Sequence, residues 1–393
     1  MAEKRGIATA PVHGRRVLVR VDFNVPLDAS GRIADDRRML EALPTLNHLR
    51  ASGARSILMS HLGRPDGHRD PKLSLRPVAH HLSQLLGQPV SFAEESVGAR
   101  ALELATKLGN GQFLMLENLR FYPGEEANDP GFATQLANLG QVFVEDAFGT
   151  VHRAHASTVG VPERLPSFAG LLVEREVREL SKLVESPKRP YVVVVGGAKV
   201  SDKLPLLTSF LGRADALLIG GALAFPFLHA QSAQLGATKV EGGLKDAVDE
   251  FFRRAKEAGT RVLLPSDLVV ERPGVPEVAT YPVGHLAPGT VARDIGPETR
   301  NRFAEELANS QTVFWNGPLG LAEDPRFAVG TREVLSRLGQ APGFHVAAGG
   351  DSARVAQDLG VAGSFQFIST GGGAALEFVE GIELPGLAVL PDA

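Results

Sequence analysis

"RRVLVRVDFNVP", residues 15–26, begins as a buried strand and then changes character. Val17, Leu18, Val19 and Val21 suit a strand covered on both faces. Arg20 sits inside that run, and Asp22 and Asn24 follow where it ends. Polar groups at the end of a dry strand need a reason, and in open parallel sheets ligands bind beyond the carboxyl ends of the strands. Working outward, the same kind of segment recurs. "RVLVRV" (16–21), "SILMS" (56–60), "QFLMLE" (112–117) and "QVFVED" (141–146) form one series of strand candidates. "YVVVV" (191–195), "ALLIG" (216–220), "RVLLP" (261–265), "TVFWNG" (312–317), "FHVAAGG" (344–350) and "FQFIST" (365–370) form a second. Helical patterns such as "DDRRMLEALPTLNHLRASG" and "PETRNRFAEELANS" lie between them. Strand alternating with helix predicts a parallel sheet flanked by helices, here twice.

The 393 residues exceed one comfortable core and suggest two domains. Between the two series, Leu172, Val173, Val177, Leu180, Leu183 and Val184 recur at helical spacing, and Pro187 and Pro190 follow. This predicts a connecting helix. "VERPGVPEVATYPVGHLAPG" (270–289) reads as a loop-rich excursion. A net charge of −4 gives no bulk electrostatic case for nucleic acid or an anionic membrane. With no cysteine, disulfides and thiolate sites are excluded. The longest apolar stretch, residues 216–228, is too short to span a bilayer, and no signal-peptide core precedes it. The reading is a soluble, cytoplasmic chain.

In the first half each strand end brings an arginine: Arg20, Arg64 after "SHLG", Arg120 in "LENLRF" and Arg153 in "DAFGTVHRAH". Arg38 opens the next helix, and His61, His152 and His155 sit among them. A lone arginine is usually a surface ion pair. Several on one rim imply a small, multiply anionic ligand, because the guanidinium fork matches carboxylate and phosphate oxygens. In the second half the strand ends are glycine turns: "GGAKVSDK" (196–203), "GGALA" (220–224), "WNGPLG" (315–320), "GGDS" (349–352) and "STGGGAAL" (369–376). Such turns let backbone approach a ligand and expose N–H groups at helix starts. Neither the Walker spacing nor G-x-G-x-x-G is present. Lys199 and Lys203 are expected one helical turn apart on one face. Asp351 suits either an N-cap or a Mg²⁺ held beside a polyphosphate.

These motifs, with "DIGP" and "ALEFVEG", occur in the order found in phosphoglycerate kinases, and the chain resembles that family over essentially its whole length. The resemblance implies two Rossmann-like α/β domains with a cleft between them. It implies a substrate domain over 1–170, a connecting helix and hinge over 171–190, a nucleotide domain over 191–378, and a tail over 379–393 that packs back on the first. Arg20, Asp22, Asn24, Arg38, His61, Arg64, Arg120 and Arg153 would bind 3-phosphoglycerate or 1,3-bisphosphoglycerate. Gly197, Lys199, Lys203, Gly221, Asn316, Pro318, Glu323, Gly349, Gly350, Asp351 and Ser352 would bind ADP or ATP, with Glu323 on the ribose and Asp351 on Mg²⁺. Arg38, Lys199 and the amides of Gly371, Gly372 and Gly373 would stabilise the transferred phosphoryl group. Family precedent implies a monomer. Departures from the family's usual residues fall in the nucleotide half: Leu223, Pro226, Ala292, Arg293, Leu319, Leu321, Ala322 and Ala348. Pro226 brings the start of its helix into question. Rival readings are a kinase for another anionic acceptor and a nucleotide sensor without turnover.

Overall fold

The computed structural model describes residues 3–393, and they divide into two compact units. One runs up to Glu179 and regains Glu383–Ala393; the other is Leu180–Ile382. The division falls inside the connecting helix, Leu171–Val184.

The first unit is built on a six-stranded sheet. Its strands are β1 (Arg16–Val21), β2 (Arg55–Met59), β3 (Val90–Phe92), β4 (Phe113–Met115), β5 (Val142–Asp146) and β6 (Ser167–Ala169). They lie in the order β3-β4-β2-β1-β5-β6, all parallel. β5 is buried at every residue, and β1 at all but Arg16. Only a sheet covered on both faces produces that pattern. From β1 the chain moves to β2 on one side and later returns to β5 on the other, so the switch point lies between β1 and β5. Arg20 pairs with Glu145 and Val21 with Asp146 across it.

The second unit repeats the logic. β7 (Tyr191–Val195), β8 (Ala216–Ile219), β9 (Arg261–Leu263), β13 (Thr312–Asn316), β14 (Phe344–Ala347) and β15 (Phe367–Ile368) order as β15-β14-β13-β7-β8-β9, all parallel. Its switch point lies between β7 and β13, with Val195 opposite Asn316.

The excursion expected at 270–289 is instead largely sheet. β10 (Asp267–Arg272), β11 (Val275–Pro282) and β12 (Val291–Ile295) make an antiparallel sheet in the order β11-β10-β12. Pro273-Gly274 forms the hairpin turn, with Gly274 at φ +72° as a Pro-Gly turn requires. Pro276 and Pro282 are tolerated because β11 is an edge strand. Pro226 does not disturb its helix either. It is the third residue of Ala224–Ala230, where the N–H has no intrahelical acceptor to lose.

The tail returns to the first unit: Gly386 N donates to Val151 O (2.8 Å) and Arg5 N to Pro391 O (2.9 Å). No helix among the described residues is long and apolar enough to cross a membrane.

Candidate active site

In the first unit the polar end of β1 is knit to its neighbours. Arg20 is 1% exposed. Its Nε donates to Ser157 Oγ (2.8 Å), Nη1 to Val21 O (2.6 Å), and Nη2 meets His61 Nδ1 (3.2 Å). Asp22 Oδ2 receives Arg38 Nη1 at 2.7 Å. Asn24 Oδ1 accepts from Gly63 N (3.0 Å), and Arg120 Nη1 donates to Gly63 O (2.7 Å). Arg120 also pairs with Glu126 at 3.3 Å. Arg153 Nε donates to His152 Nε2 (3.2 Å). Arg64 is exposed and takes no part in these hydrogen bonds.

The histidines record how close the cations are. Burial, then the charges of Arg20, Arg120 and Arg38, hold His61 well below its ordinary pKa. Burial, then Arg20, Arg120 and Arg153, lower His155 to about 4. Both rings are therefore neutral at physiological pH, and the arginines carry the site's positive charge. The rim suits an anion, its positive charge carried by arginine rather than by His61 or His155.

Behind it lies a buried layer the sequence reading missed. Glu125 is fully buried and accepts from Ser157 N (3.0 Å) and Ser157 Oγ (2.5 Å). Asp146 accepts from Thr45 Oγ1 (2.9 Å) and Leu172 N (3.0 Å), tying β5 to helix Arg37–Ala51 and to the connecting helix. Acidic residues in "PGEE" and "VED" gave no signal of burial, because no local pattern announces a charge paired across distant loops.

In the second unit a cavity of about 760 Å³ opens, within the range of small-molecule sites. Gly197, Lys199, Pro318, Glu323 and Asp351 line it. So do Phe225, Thr238, Glu241 and Arg354, which were not foreseen. Glu241 accepts from Val200 N (2.8 Å) and braces the 196–203 loop. Arg354 stands 3.5 Å from Glu323 and 3.9 Å from Asp351; its spacing three residues beyond Asp351 was the available clue. Asp351 is 88% exposed in the first turn of helix Gly350–Asp358, whose N-cap is Gly349. It is therefore no N-cap, and its oxygens are open to a ligand.

The other expected residues support the turns without lining this cavity. Asn316, ending β13, accepts from Lys203 Nζ (2.6 Å) and donates to Ala348 O (2.7 Å). Ser352 Oγ accepts from Gly317 N (2.9 Å). At Gly221 (φ +66°) an added Cβ would lie 2.9 Å from Pro318 O and 3.0 Å from Gly197 O, so three strand-end turns pack backbone to backbone. Gly371 N donates to Ser369 Oγ (3.1 Å), and Gly372 caps helix Gly373–Glu380.

The two lysines are not on one helical face. Lys203 is the N-cap of helix Leu204–Ser209, with Pro205 in its first turn, and Lys199 is exposed in the loop before it. Burial lowers the Lys203 pKa, opposed by Glu380 and then Asp351. Of the departures, Leu223, Leu319 and Ala348 are buried, while Ala292, Arg293 and Leu321 line the cavity.

Residues 7–382 match the sequence profile of the family described as phosphoglycerate kinase. The chain is 46% identical over 386 residues to the phosphoglycerate kinase of Coprothermobacter proteolyticus, with 98% of each covered. It is 47% identical over 382 residues to that of Dictyoglomus turgidum, with 96% of each covered. The phosphoglycerate kinase structure from Coxiella burnetii superposes with a TM-score of 0.90 at 34% identity, covering 98% of both chains. That from Pyrococcus horikoshii gives 0.85 at 33%, with the same coverage. With near-complete coverage in sequence and in fold, the chain belongs to the phosphoglycerate kinase family.

Proposed function

We propose that the chain catalyses the reversible transfer of the acyl phosphate of 1,3-bisphosphoglycerate to ADP, giving ATP and 3-phosphoglycerate. The observation that carries this is the pairing of two unlike switch-point sites on one chain: an arginine rim at β1/β5, with Arg20 and Arg120 buried in it, and a cavity that opens beside the glycine turns at β7/β13.

Arg20, Asp22, Asn24, Arg38, His61, Arg64, Arg120 and Arg153 hold the acid phosphate in this reading. The 196–203 loop, Pro318, Glu323 and Asp351 hold the nucleotide. A carboxylate acceptor is ionised at neutral pH and needs no base to attack, which fits a rim whose histidines are neutral. Catalysis is then positioning plus stabilisation of charge on the moving phosphoryl group. Arg38, Lys199 and the amides of Gly371, Gly372 and Gly373 are assigned to that charge. The open carboxylate of Asp351 fits a Mg²⁺ carried by nucleotide phosphates, since such an ion takes one or two protein carboxylates and keeps its other oxygens from phosphate and water. When bound, the ion neutralises phosphate charge.

Ligands on separate compact units must be brought together, so we assign closure to the 171–190 connector and the returning tail. A radius of gyration that falls only when both substrates are present supports closure; an unchanged radius contradicts it. The function itself is tested by ATP formation from 1,3-bisphosphoglycerate and ADP with purified protein. Turnover of this pair supports the reading, and turnover only of another acyl phosphate overturns it.

A further inference from the structure

Arg20 raises an accounting question that the rim alone does not answer. A guanidinium has only donors, and a buried one must place them all. Its Nε proton goes to Ser157 Oγ at 2.8 Å. Ser157 has one hydroxyl proton, and Glu125 Oε1 takes it at 2.5 Å; Glu125 Oε2 takes the Ser157 amide proton at 3.0 Å. Arginine can only donate, so Ser157 Oγ accepts from Arg20 and its own proton goes on to Glu125: Arg20 gives to Ser157 and Ser157 gives to Glu125. At the other end Arg20 Nη2 faces His61 Nδ1 at 3.2 Å. Since arginine cannot accept, Nδ1 must be the acceptor, and the neutral ring then carries its proton on Nε2. Glu125 and Ser157 are both fully buried and come from different segments, the turn Pro123–Glu126 and the turn Ala156–Gly160.

We propose that Ser157 and Glu125 are positioning residues for the acid-phosphate site. They hold the Arg20 fork in one orientation and, through it, fix His61 as an Nε2–H donor. The relay touches no ligand. It determines which N–H groups of Arg20 and His61 remain free for an anion. This rests on the reading of Arg20 and His61 as substrate contacts.

The test compares wild type, Ser157→Ala and Glu125→Asp, with thermal unfolding measured on each. Ser157→Ala removes the acceptor for Arg20 Nε, and we expect the KM for 3-phosphoglycerate to rise about tenfold or more while the KM for ATP moves less than twofold. Glu125→Asp keeps the charge, shortens its reach, and should give an intermediate rise. A merely structural role would raise both KM values together as stability falls. Nitrogen NMR of His61 gives an independent reading in the wild-type enzyme: the Nε2–H tautomer is expected, and the Nδ1–H tautomer overturns the proposal even if Ser157→Ala does not fold. An unchanged KM for 3-phosphoglycerate in both variants also overturns it. A wild-type enzyme that does not turn over 3-phosphoglycerate at all would instead remove the functional reading beneath it.

Discussion

Arg20, Glu125, Glu145 and Asp146 are all withdrawn from water around the ends of β1 and β5. Burial raises the carboxyl of Glu145 to about 8, although Arg20 opposes the shift. Between the ordinary glutamate value of 4.5 and about 8 the folded protein holds a proton that the unfolded chain has released. Stability in this term therefore falls as pH rises through that window, with a limiting slope of about 1.4 kcal/mol per pH unit. Glu145→Gln lacks the term. Calorimetry from pH 5 to pH 8 should show the variant's Tm gaining on wild type as pH rises; a difference moving the other way contradicts the assignment. The exposed Lys199 makes the complementary prediction. Lys199→Ala should lose about 100-fold or more in kcat while ADP binding by calorimetry, still supported by the other cavity residues, weakens far less. Near-normal turnover would remove Lys199 from the chemistry.

The elements explain why the strand-end turns are glycine. An added Cβ at Gly196 would strike the Pro318 carbonyl, and one at Gly220 would stand 2.6 Å from Leu319. The turns after β7, β8 and β13 therefore interlock through backbone, and Gly196 N donates to Asn316 O (2.9 Å) across the switch point. Gly196→Ala should cost about 1–3 kcal/mol of stability and weaken ADP binding, because the turn after β13 must shift and carry Pro318 with it. Unaltered ADP affinity would show that this packing does not shape the cavity. Most elements were legible at this scale. The β7 run is continuous and apolar, and β1 and β13 are apolar but for Arg16, Arg20, Thr312 and Asn316, as suits strands buried on both faces. The hairpin of β10 and β11 was not, since prolines on an edge strand look like loop. β3 and β6 were not legible, since Ser91 interrupts one and Ser167 opens the other, leaving no apolar run of strand length. The error over Lys199 had a visible cause in retrospect: Pro205 marks where the helix begins, after Lys199.

For the whole molecule, the sequence motifs located both candidate sites because a doubly wound sheet sends its strand ends to one edge. Arg20, Asp22 and Lys199 could be singled out by their positions after apolar runs, Arg38 and Asp351 by theirs at helix starts, and Glu323 only through the family resemblance. Ser157, Glu125 and Glu241 could not, because their roles depend on which loops fold over one another; Arg354 left only its spacing from Asp351. In the proposed reaction phosphate passes directly between ligands carried by two units of one chain, with no phosphorylated enzyme between them. Initial-velocity kinetics with both substrates varied tests this most directly. Intersecting double-reciprocal lines, the pattern of a ternary complex, are predicted; parallel lines, the pattern of a phosphoryl-enzyme intermediate, would contradict it.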